Sequence, residues 1–431
     1  MLIEFRVANF RSFRDEQTLS LVASNRDSKL PDNTFQAGKD LKLLKAAAIY
    51  GANASGKSNL LKALAFMDQF VELSATRMNQ GDKIEGVEPF RLDPETKRKP
   101  SSFKIVFACD EDTRFEYGFS ATQERVHDES LVAYTSDKPA RSFERQFNPL
   151  TQTTHWSFKG ELEREGDLLR EKTRDNGLVL SQGAQLNVPL LSKVFRWFKE
   201  KFYTYDLSQP PFALWYETAQ RLEEDRSFYE RLMPLFRDAD LGIDGIRVEK
   251  KKTSLPKELL DLLGDRGREV FGKEQPAVLA VHRVQEATDE VFDFQQHESN
   301  GTQRFFALAG PWVGALDNGS VVVVDELECS MHPNLVRKLV EFFQSQRNNQ
   351  KGAQLIFATQ DATQMNLGLL RRDQLWIVEK DGKGASSCYS LYDFEKKPRN
   401  TEALQKNYLA GRYGGVPTFG PLFENLESEE K

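Results

Sequence analysis

The sequence predicts an α/β fold, and two segments carry that prediction. Residues 46–50 form an apolar run, residues 51–58 have the sequence GANASGKS, and a helical pattern begins at Asn59. A second candidate strand, residues 320–326, contains four consecutive valines at 321–324 and ends in two acids, Asp325 and Glu326. Continuous apolar strands of this kind are typical of a parallel sheet that is covered on both faces. We therefore predict a sheet with helices packed against it and a ligand site at the ends of these two strands.

The segment from 51 to 58 matches the G-x-x-x-x-G-K-[ST] pattern of a phosphate-binding loop, in the strand–loop–helix context that this pattern requires. Its glycines let backbone N–H groups turn toward phosphates, and the start of the helix adds a positive end. Lys57 is expected to reach the outer phosphates of ATP, and Ser58 is expected to bind Mg²⁺. The predicted nucleotide-binding residues are Gly51, Ala52, Asn53, Ala54, Ser55, Gly56, Lys57, Ser58 and Asn59.

The two acids after the valine strand are the second candidate site. In a phosphate-loop protein, the carboxyl end of such a strand lies beside the phosphates. We predict that Asp325 binds Mg²⁺, directly or through water, and that Glu326 polarises the attacking water. An ordinary strand-to-turn boundary would explain the acids alone, but it would not explain their combination with the phosphate loop.

A third candidate precedes the helical pattern that starts near Phe305. Ser299 and Gly301 place a small hydroxyl and a glycine at a helix start, which is a favourable place for an anion. An ordinary N-cap is the alternative, and local chemistry alone favours it. The Ser-x-Gly segment lies about twenty residues before the acidic strand. This order of phosphate loop, Ser-x-Gly segment and acidic strand resembles that of the ABC-type ATPases, and the resemblance favours anion binding.

Composition narrows the class of protein. Hydrophobic residues make up 39% of the 431-residue chain and charged residues 29%, which predicts a folded protein of two or three domains. The net charge of −6 gives no support for nucleic-acid binding, although Lys250–Lys252 leaves a local basic face open. No apolar run is long enough to cross a membrane, and the N-terminus lacks a signal-peptide pattern. Three scattered cysteines favour a reducing, cytoplasmic compartment.

The chain divides into three predicted parts. Residues 1–120 form an N-terminal lobe with the phosphate loop and alternating, antiparallel strands at 102–107 and 114–119. Residues 121–290 are predicted to be a mainly helical insertion, with amphipathic segments at 190–202, 215–236 and 254–270. Residues 291–431 form a C-terminal lobe with the Ser-x-Gly segment, the acidic strand and a frayed acidic tail from 422.

These motifs together resemble the ABC-type ATPases of the overcoming-lysogenization-defect and RecF/SMC-like branch. Within that branch the chain is most similar to bacterial anti-phage defence ATPase subunits of the AriA and RloA kind. The resemblance covers both ends of the chain and leaves the middle unassigned. It rests on the segments 9–13 (NFRSF), 50–60 (YGANASGKSNL), 298–302 (ESNGT), 325–333 (DELECSMHP) and 408–417 (YLAGRYGGVP).

The resemblance implies an ABC-type ATPase head, with a mixed sheet and an antiparallel β subdomain. It implies that two heads dimerise around two ATP molecules, with or without assembly into a higher oligomer. Ser299 and Gly301 of one protomer would then cap the γ-phosphate that Lys57 of the other protomer holds, supplying N–H donors to developing charge. It further implies a sensor or scaffold subunit that holds or releases a separate toxic effector, such as a nuclease.

One position departs from the family pattern. After the predicted strand 354–358, the family usually has a switch histidine, whereas this chain has Gln360. A glutamine can hydrogen-bond a γ-phosphate or water, but it cannot act as an acid or base near neutral pH. We predict a sensor role for Gln360 in the catalytic site and slow turnover, with a plain polar strand cap as the alternative.

Two other functions remain open from the sequence. One is a RecF/SMC-like DNA-repair ATPase, and the other is a nucleotide-gated scaffold with negligible turnover. A transporter subunit is disfavoured, because about 240 residues separate Lys57 from Ser299. His332 has no metal partners at ligand spacing, so we expect a packing or dimer-contact role for it.

Overall fold

A computed structural model describes residues 1–38, 40–110, 113–135, 138–207, 212–252, 274–283, 289–395, 398–399 and 402–417. The strands in these ranges are β1 (Leu2–Ala8), β2 (Gln17–Ser20), β3 (Thr34–Gln36), β4 (Lys42–Leu44), β5 (Ala46–Tyr50), β6 (Ser101–Ala108), β7 (Thr113–Ala121), β8 (Val126–Thr135), β9 (Lys138–Asn148), β10 (Thr153–Phe158), β11 (Phe202–Asp206), β12 (Gly245–Lys252), β13 (Glu274–His282), β14 (Glu290–Asp293), β15 (Val321–Asp325), β16 (Gln354–Ala358), β17 (Leu375–Lys380) and β18 (Ser386–Ser390). The α-helices are α1 (Lys57–Leu73), α2 (Gly166–Lys172), α3 (Val179–Gln185), α4 (Pro189–Lys201), α5 (Phe212–Glu224), α6 (Arg226–Asp238), α7 (Phe294–His297), α8 (Asn300–Asn318), α9 (Pro333–Gln344) and α10 (Leu404–Leu409).

The phosphate loop belongs to a six-stranded mixed sheet with the order β11-β15-β16-β5-β17-β18. The first five strands are parallel and β18 is antiparallel. This arrangement confirms the predicted strands at 46–50, 321–325 and 354–358. Because β15, β16 and β5 are parallel neighbours, their carboxyl ends meet at one edge of the sheet, where the site must lie.

Both faces of this central sheet are buried. Along β5, Ala47 and Ile49 join one apolar core, whereas Ala46, Ala48 and Tyr50 join another on the opposite face. The valines of β15 divide between the two cores in the same alternating way. Two-sided burial is the reason that these strands are continuously apolar rather than alternating.

A second, seven-stranded antiparallel sheet has the order β10-β9-β8-β7-β6-β1-β2. Its apolar residues share one core with α1, α4 and one face of the central sheet. The structure thus has the mixed α/β architecture with an antiparallel β subdomain that the sequence predicts. Helix α1 ends at Leu73 rather than near Met78, and Leu60, Leu64 and Met67 form part of its buried stripe.

The mainly helical prediction for residues 121–290 is wrong at both ends of that range. Strands β8, β9 and β10 extend the antiparallel sheet, α2 to α6 follow them together with β11, and β12 and β13 then pair with β14 in a separate three-stranded sheet. The apolar alternation of these strands is broken because Glu129 and Arg145, direct cross-strand partners, are both buried, at 1% and 2% exposure. The predicted helix at 215–236 is two helices, since Asp225 caps a new helix by accepting from the N–H groups of Ser227 and Phe228.

Two predictions, the helical piece at 254–270 and the frayed tail from 422, lie outside the described residues. Within the described ranges, no helix combines the length and the apolar character that a bilayer crossing needs.

Candidate functional site

The carboxyl ends of β5, β15 and β16 line one pocket of about 270 Å³. It brings together three segments that are far apart in sequence: the phosphate loop, the acids after β15 and the residues after β16. The lining residues are Asn53, Ala54, Lys57, Ser58, Asp325, Glu326, Glu328, Ala358, Thr359 and Gln360. Five side chains predicted to act on the nucleotide phosphates or on Mg²⁺ therefore face a common space.

The phosphate loop is held tightly against its surroundings. Gly56 has φ +119°, a conformation that favours glycine, and a Cβ there would lie 2.5 Å from Ser386 Oγ. A Cβ on Gly51 would lie 2.3 Å from the carbonyl oxygen of Val378. The Ser386 hydroxyl also donates to the Ser55 carbonyl at 2.5 Å. The two glycines of the motif are thus required by close packing as well as by the turn.

Lys57 lies across the loop that precedes it. Its side chain is buried, and its Nζ donates to the carbonyls of Gly51 at 2.7 Å and Ala52 at 3.1 Å. Burial lowers the pKa of Lys57, and the negative charges of Asp325, Glu328 and Glu326 partly offset this shift. The ammonium group is therefore fixed at the mouth of the loop and near the three acids, where it can bind a phosphate oxygen.

The acidic end of β15 has an unusual backbone. Glu326 has φ +54°, in the left-handed region that side chains other than glycine rarely adopt. Its N–H donates to Asp325 Oδ1 at 3.1 Å, which orients the aspartate. Backbone strain of this kind is often found at functional sites, where the surrounding structure maintains it.

Glu328 is a pocket residue that sequence analysis missed. Its Oε1 accepts a hydrogen bond from the backbone N–H of Gln360 at 2.6 Å. Its Oε2 is buried and has no hydrogen-bond partner among the described residues. The Asp-Glu-x-Glu spacing was visible in the sequence, but the turn that directs Glu328 toward Gln360 was not.

Gln360 lies at the pocket, where its side chain is exposed. Asn59, also predicted to bind nucleotide, donates from Nδ2 to Ser12 Oγ at 2.8 Å and does not line the pocket. His332 caps α9, with its Nδ1 accepting from the N–H of Asn334 at 3.2 Å. That contact gives His332 a local structural role.

Ser299 and Gly301 lie at the start of α8. Ser299 Oγ accepts from the N–H of Thr302 at 3.1 Å, so the N-cap expected from local chemistry is present. A Cβ on Gly301 would lie 2.6 Å from the carbonyl oxygen of Ser330, in the loop that follows the acids. The two residues are therefore packed beside the acidic loop rather than in the lining of the Lys57 pocket of the same chain.

The pocket suits a nucleotide phosphate chain with a hard cation. Ser58 and Asp325 supply the oxygen ligands that Mg²⁺ prefers, and Lys57 supplies a cation for phosphate oxygens. Oε2 of Glu328, which has no hydrogen-bond partner in the described part of the chain, and the side chain of Gln360 add polar groups that can bind a water or a phosphate. Among the described residues, no cluster of three or more His, Cys, Asp or Glu side chains forms a separate metal site.

Comparison with known families agrees with this geometry. The family model described as "AAA domain, putative AbiEii toxin, Type IV TA system" matches residues 46–365, from β5 to the residues after β16. The chain belongs to this family. The AAA-domain match thus contains the phosphate loop, both acids, the Ser-x-Gly segment and Gln360, and it identifies the protein as a P-loop ATPase by fold.

This AAA-domain protein is distantly similar to several solved structures. The SMC head domain from Thermotoga maritima is 13% identical, with 90% of this chain and 98% of that chain covered and a TM-score of 0.41. The recombination mediator protein RecF of the RecFOR pathway, in its RecF-ATPrS structure, is 15% identical, with 90% of this chain and 98% of that chain covered and a TM-score of 0.33. CbiO1 from Clostridium perfringens, part of an ABC transporter complex, is 11% identical, with 96% of this chain and 92% of that chain covered and a TM-score of 0.28. Among curated proteins, no sequence matches this chain significantly.

Proposed function

We propose that this protein binds ATP with Mg²⁺ and hydrolyses it to ADP and phosphate. The observation that carries the proposal is the convergence of Lys57, Ser58, Asp325 and Glu326 on one pocket. Lys57 would hold the outer phosphates, and Glu326 would orient the attacking water and accept its proton. When bound by Ser58 and Asp325, Mg²⁺ would neutralise charge on the phosphate oxygens.

The proposal includes a dimer that forms around ATP. Ser299 and Gly301 start a helix beside the acidic loop but do not line their own chain's pocket. The N–H groups at this helix start are suited to an anion, and a second copy of the chain would bring that anion within reach. Each ATP-binding site would then be completed by α8 of the partner subunit, so an isolated protomer would hydrolyse ATP poorly.

The biological role we propose is a cytoplasmic sensor or scaffold subunit of a bacterial anti-phage defence system, controlling a separate toxic effector. Support comes from the resemblance of the phosphate loop and of residues 408–417 to defence ATPases, and from membership of a family described as a putative AbiEii toxin of a Type IV TA system. Two measurements test this role. Cells carrying the protein and its neighbouring genes should resist phage, and the Lys57→Ala variant should abolish that resistance.

A nucleic-acid clamp is a weaker reading of the same fold. Its candidate surface was the basic run Lys250–Lys252, but Lys250 is paired with Glu223 at 2.8 Å and Lys251 lies 3.7 Å from Asp293. This pairing reduces the positive field available to a phosphate backbone. Salt-sensitive binding of duplex DNA would favour the clamp over the effector scaffold.

The ATPase activity is tested by phosphate release and by ATP-dependent change in mass in solution. Lys57→Ala should abolish ATP binding, whereas Lys62→Ala, on the exposed side of the same helix, should not. Glu326→Gln should retain ATP and accumulate the dimer. Unchanged hydrolysis by Glu326→Gln would exclude our assignment of this residue, and binding without any turnover in the natural protein would favour a nucleotide-gated scaffold.

A further inference from the structure

A second pocket borders the phosphate loop on its other side. The first pocket lies toward β16, and the second lies toward β17, the other neighbour of β5. It has a volume of about 540 Å³ and is lined by loop residues 52–55, by the end of β17, by Gly411 and by residues 414–417. Asn53 and Ala54 line both pockets, so the two spaces adjoin across the phosphate loop.

The C-terminal roof of this pocket, residues 411–417, is fixed by specific contacts. The Tyr408 hydroxyl donates to the Gly415 carbonyl at 3.0 Å, and the Tyr389 hydroxyl donates to the Tyr413 carbonyl at 3.0 Å. The N–H of Gly415 donates to Glu379 Oε2 at 3.4 Å. A roof held by the buried Tyr408 and the partly buried Tyr389 is a built part of the site rather than a loose tail.

Gly415 lets the roof touch the phosphate loop itself. It has φ +65°, and a Cβ at this position would lie 2.6 Å from Ile377 Cγ2 and 3.4 Å from Gly51 Cα. Any larger residue would push the roof away from the first residue of the loop. The close approach means that the roof and the loop form one continuous wall.

We propose that this second pocket binds the nucleoside half of ATP, its base and ribose, while the phosphates lie at Lys57. The inference rests on the proposed function and adds to it the position of the base. A nucleotide that crosses Asn53 and Ala54 would enter both pockets at once. Val416 and Pro417 line the pocket and offer apolar surface to the face of the base.

A competing pocket of equal volume lies beside α1 and includes Phe10, Arg11, Lys62 and Asp325. It borders the acid but none of the loop residues 51–58. A nucleoside there would be reached past Asp325 instead of along the loop. The geometry therefore favours the roofed pocket, and the competing pocket supplies a matched control.

The test separates the two halves of the ligand by calorimetric titration with ATP and with inorganic tripolyphosphate. We expect the natural protein to bind both. Val416→Trp and Pro417→Trp, which fill the roofed pocket, should weaken ATP binding about tenfold or more and leave tripolyphosphate binding within about twofold. Pro417 is exposed, so its variant avoids the folding risk of the half-buried Val416. Lys62→Trp, which adds the same indole to the competing pocket, should leave both affinities unchanged.

Three results would overturn the inference. They are unchanged ATP affinity in both roof variants, equal loss of ATP and tripolyphosphate affinity, or loss of ATP affinity in Lys62→Trp instead. If ATP affinity is unchanged in both roof variants, or is lost in Lys62→Trp, the roofed pocket is not the base site. The proposed ATPase would still stand in either case, provided that the natural protein binds tripolyphosphate. Binding of neither ligand by the natural protein would remove the ATPase proposal as well.

Discussion

Glu328 Oε1 and the backbone N–H of Gln360 are joined by a hydrogen bond of 2.6 Å across the mouth of the pocket. The bond connects the loop after β15 to the residue that follows β16. It anchors the backbone of Gln360, whose side chain is exposed at the pocket. Glu328 therefore acts as a positioning residue for Gln360.

The first prediction follows from this bond. Glu328→Ala removes the acceptor and should lower the rate of ATP hydrolysis about tenfold or more, because Gln360 loses its anchor. ATP binding should not weaken, since a negative charge near the phosphates is also lost. Phosphate-release kinetics and ATP titration, measured side by side, separate the two effects.

Glu328→Gln is the matched control, because its amide oxygen can still accept from Gln360 while the charge is gone. It should keep most of the hydrolysis rate. If Glu328→Gln is as slow as Glu328→Ala, the charge matters instead of the hydrogen bond, and the positioning role is refuted.

The central part of the site could be predicted from the sequence because its signals are local. The loop from Gly51 to Ser58 has a fixed spacing, and the buried strand before Asp325 is a continuous apolar run. Both patterns can be recognised in the sequence without knowledge of the rest of the fold. The comparison with the AAA-domain family and the central sheet agree with that reading.

The parts that escaped prediction depend on long-range contacts or on buried charge. Nothing in the local sequence indicates that Gly415 lies against Gly51, since the two are separated by most of the chain. The strands β8 and β9 were missed because Glu129 and Arg145 occupy buried positions where an apolar residue is expected. The burial of Glu129 is compensated by the hydrogen bonds that it accepts from the N–H groups of Val179 and Leu180, and the burial of Arg145 by the bonds that it donates to backbone carbonyls, including that of Gly177.

The second prediction separates two roles of Ser299. Ser299→Ala removes the N-cap bond to Thr302 and should destabilise the protein by about 1 kcal/mol. Ser299→Asp keeps a capping oxygen and should restore stability, but its charge would repel a γ-phosphate. Hydrolysis should therefore be lost in Ser299→Asp although its unfolding midpoint is close to that of the natural protein. Normal hydrolysis in Ser299→Asp would leave Ser299 with the capping role alone.

The third prediction concerns Gly301 and the dimer. Gly301→Ala brings a Cβ to within 2.6 Å of the Ser330 carbonyl, so α8 and the acidic loop must separate. We expect slower hydrolysis and weaker ATP-dependent dimerisation, with ATP still bound by each protomer. Analytical ultracentrifugation with and without ATP measures the dimer. Gly382→Ala is the control, because a Cβ there meets nothing within 4 Å, and equal behaviour of the two variants would argue against a role for Gly301 in the dimer.

The fourth prediction is a pH dependence of stability that originates at Asp68 in α1. Asp68 is buried, its Oδ1 has no hydrogen-bond partner among the described residues, and burial together with Glu72 raises its pKa to about 8. Because the pKa is raised in the folded state, folded Asp68 keeps its proton at pH values above 3.8, the ordinary pKa, where the unfolded chain has released it. The contribution of Asp68 to folding is therefore fully present below that value and is lost as the pH rises through about 8.

Asp68→Asn keeps the shape of the side chain and removes the titration. The difference in free energy of unfolding between Asp68→Asn and the natural protein should grow from pH 4 to about pH 8, by at least about 2 kcal/mol in favour of the variant. Urea unfolding at a series of pH values measures this difference, with the exposed Asp289→Asn as control. A difference that stays constant across this range would mean that Asp68 is already ionised in the folded protein.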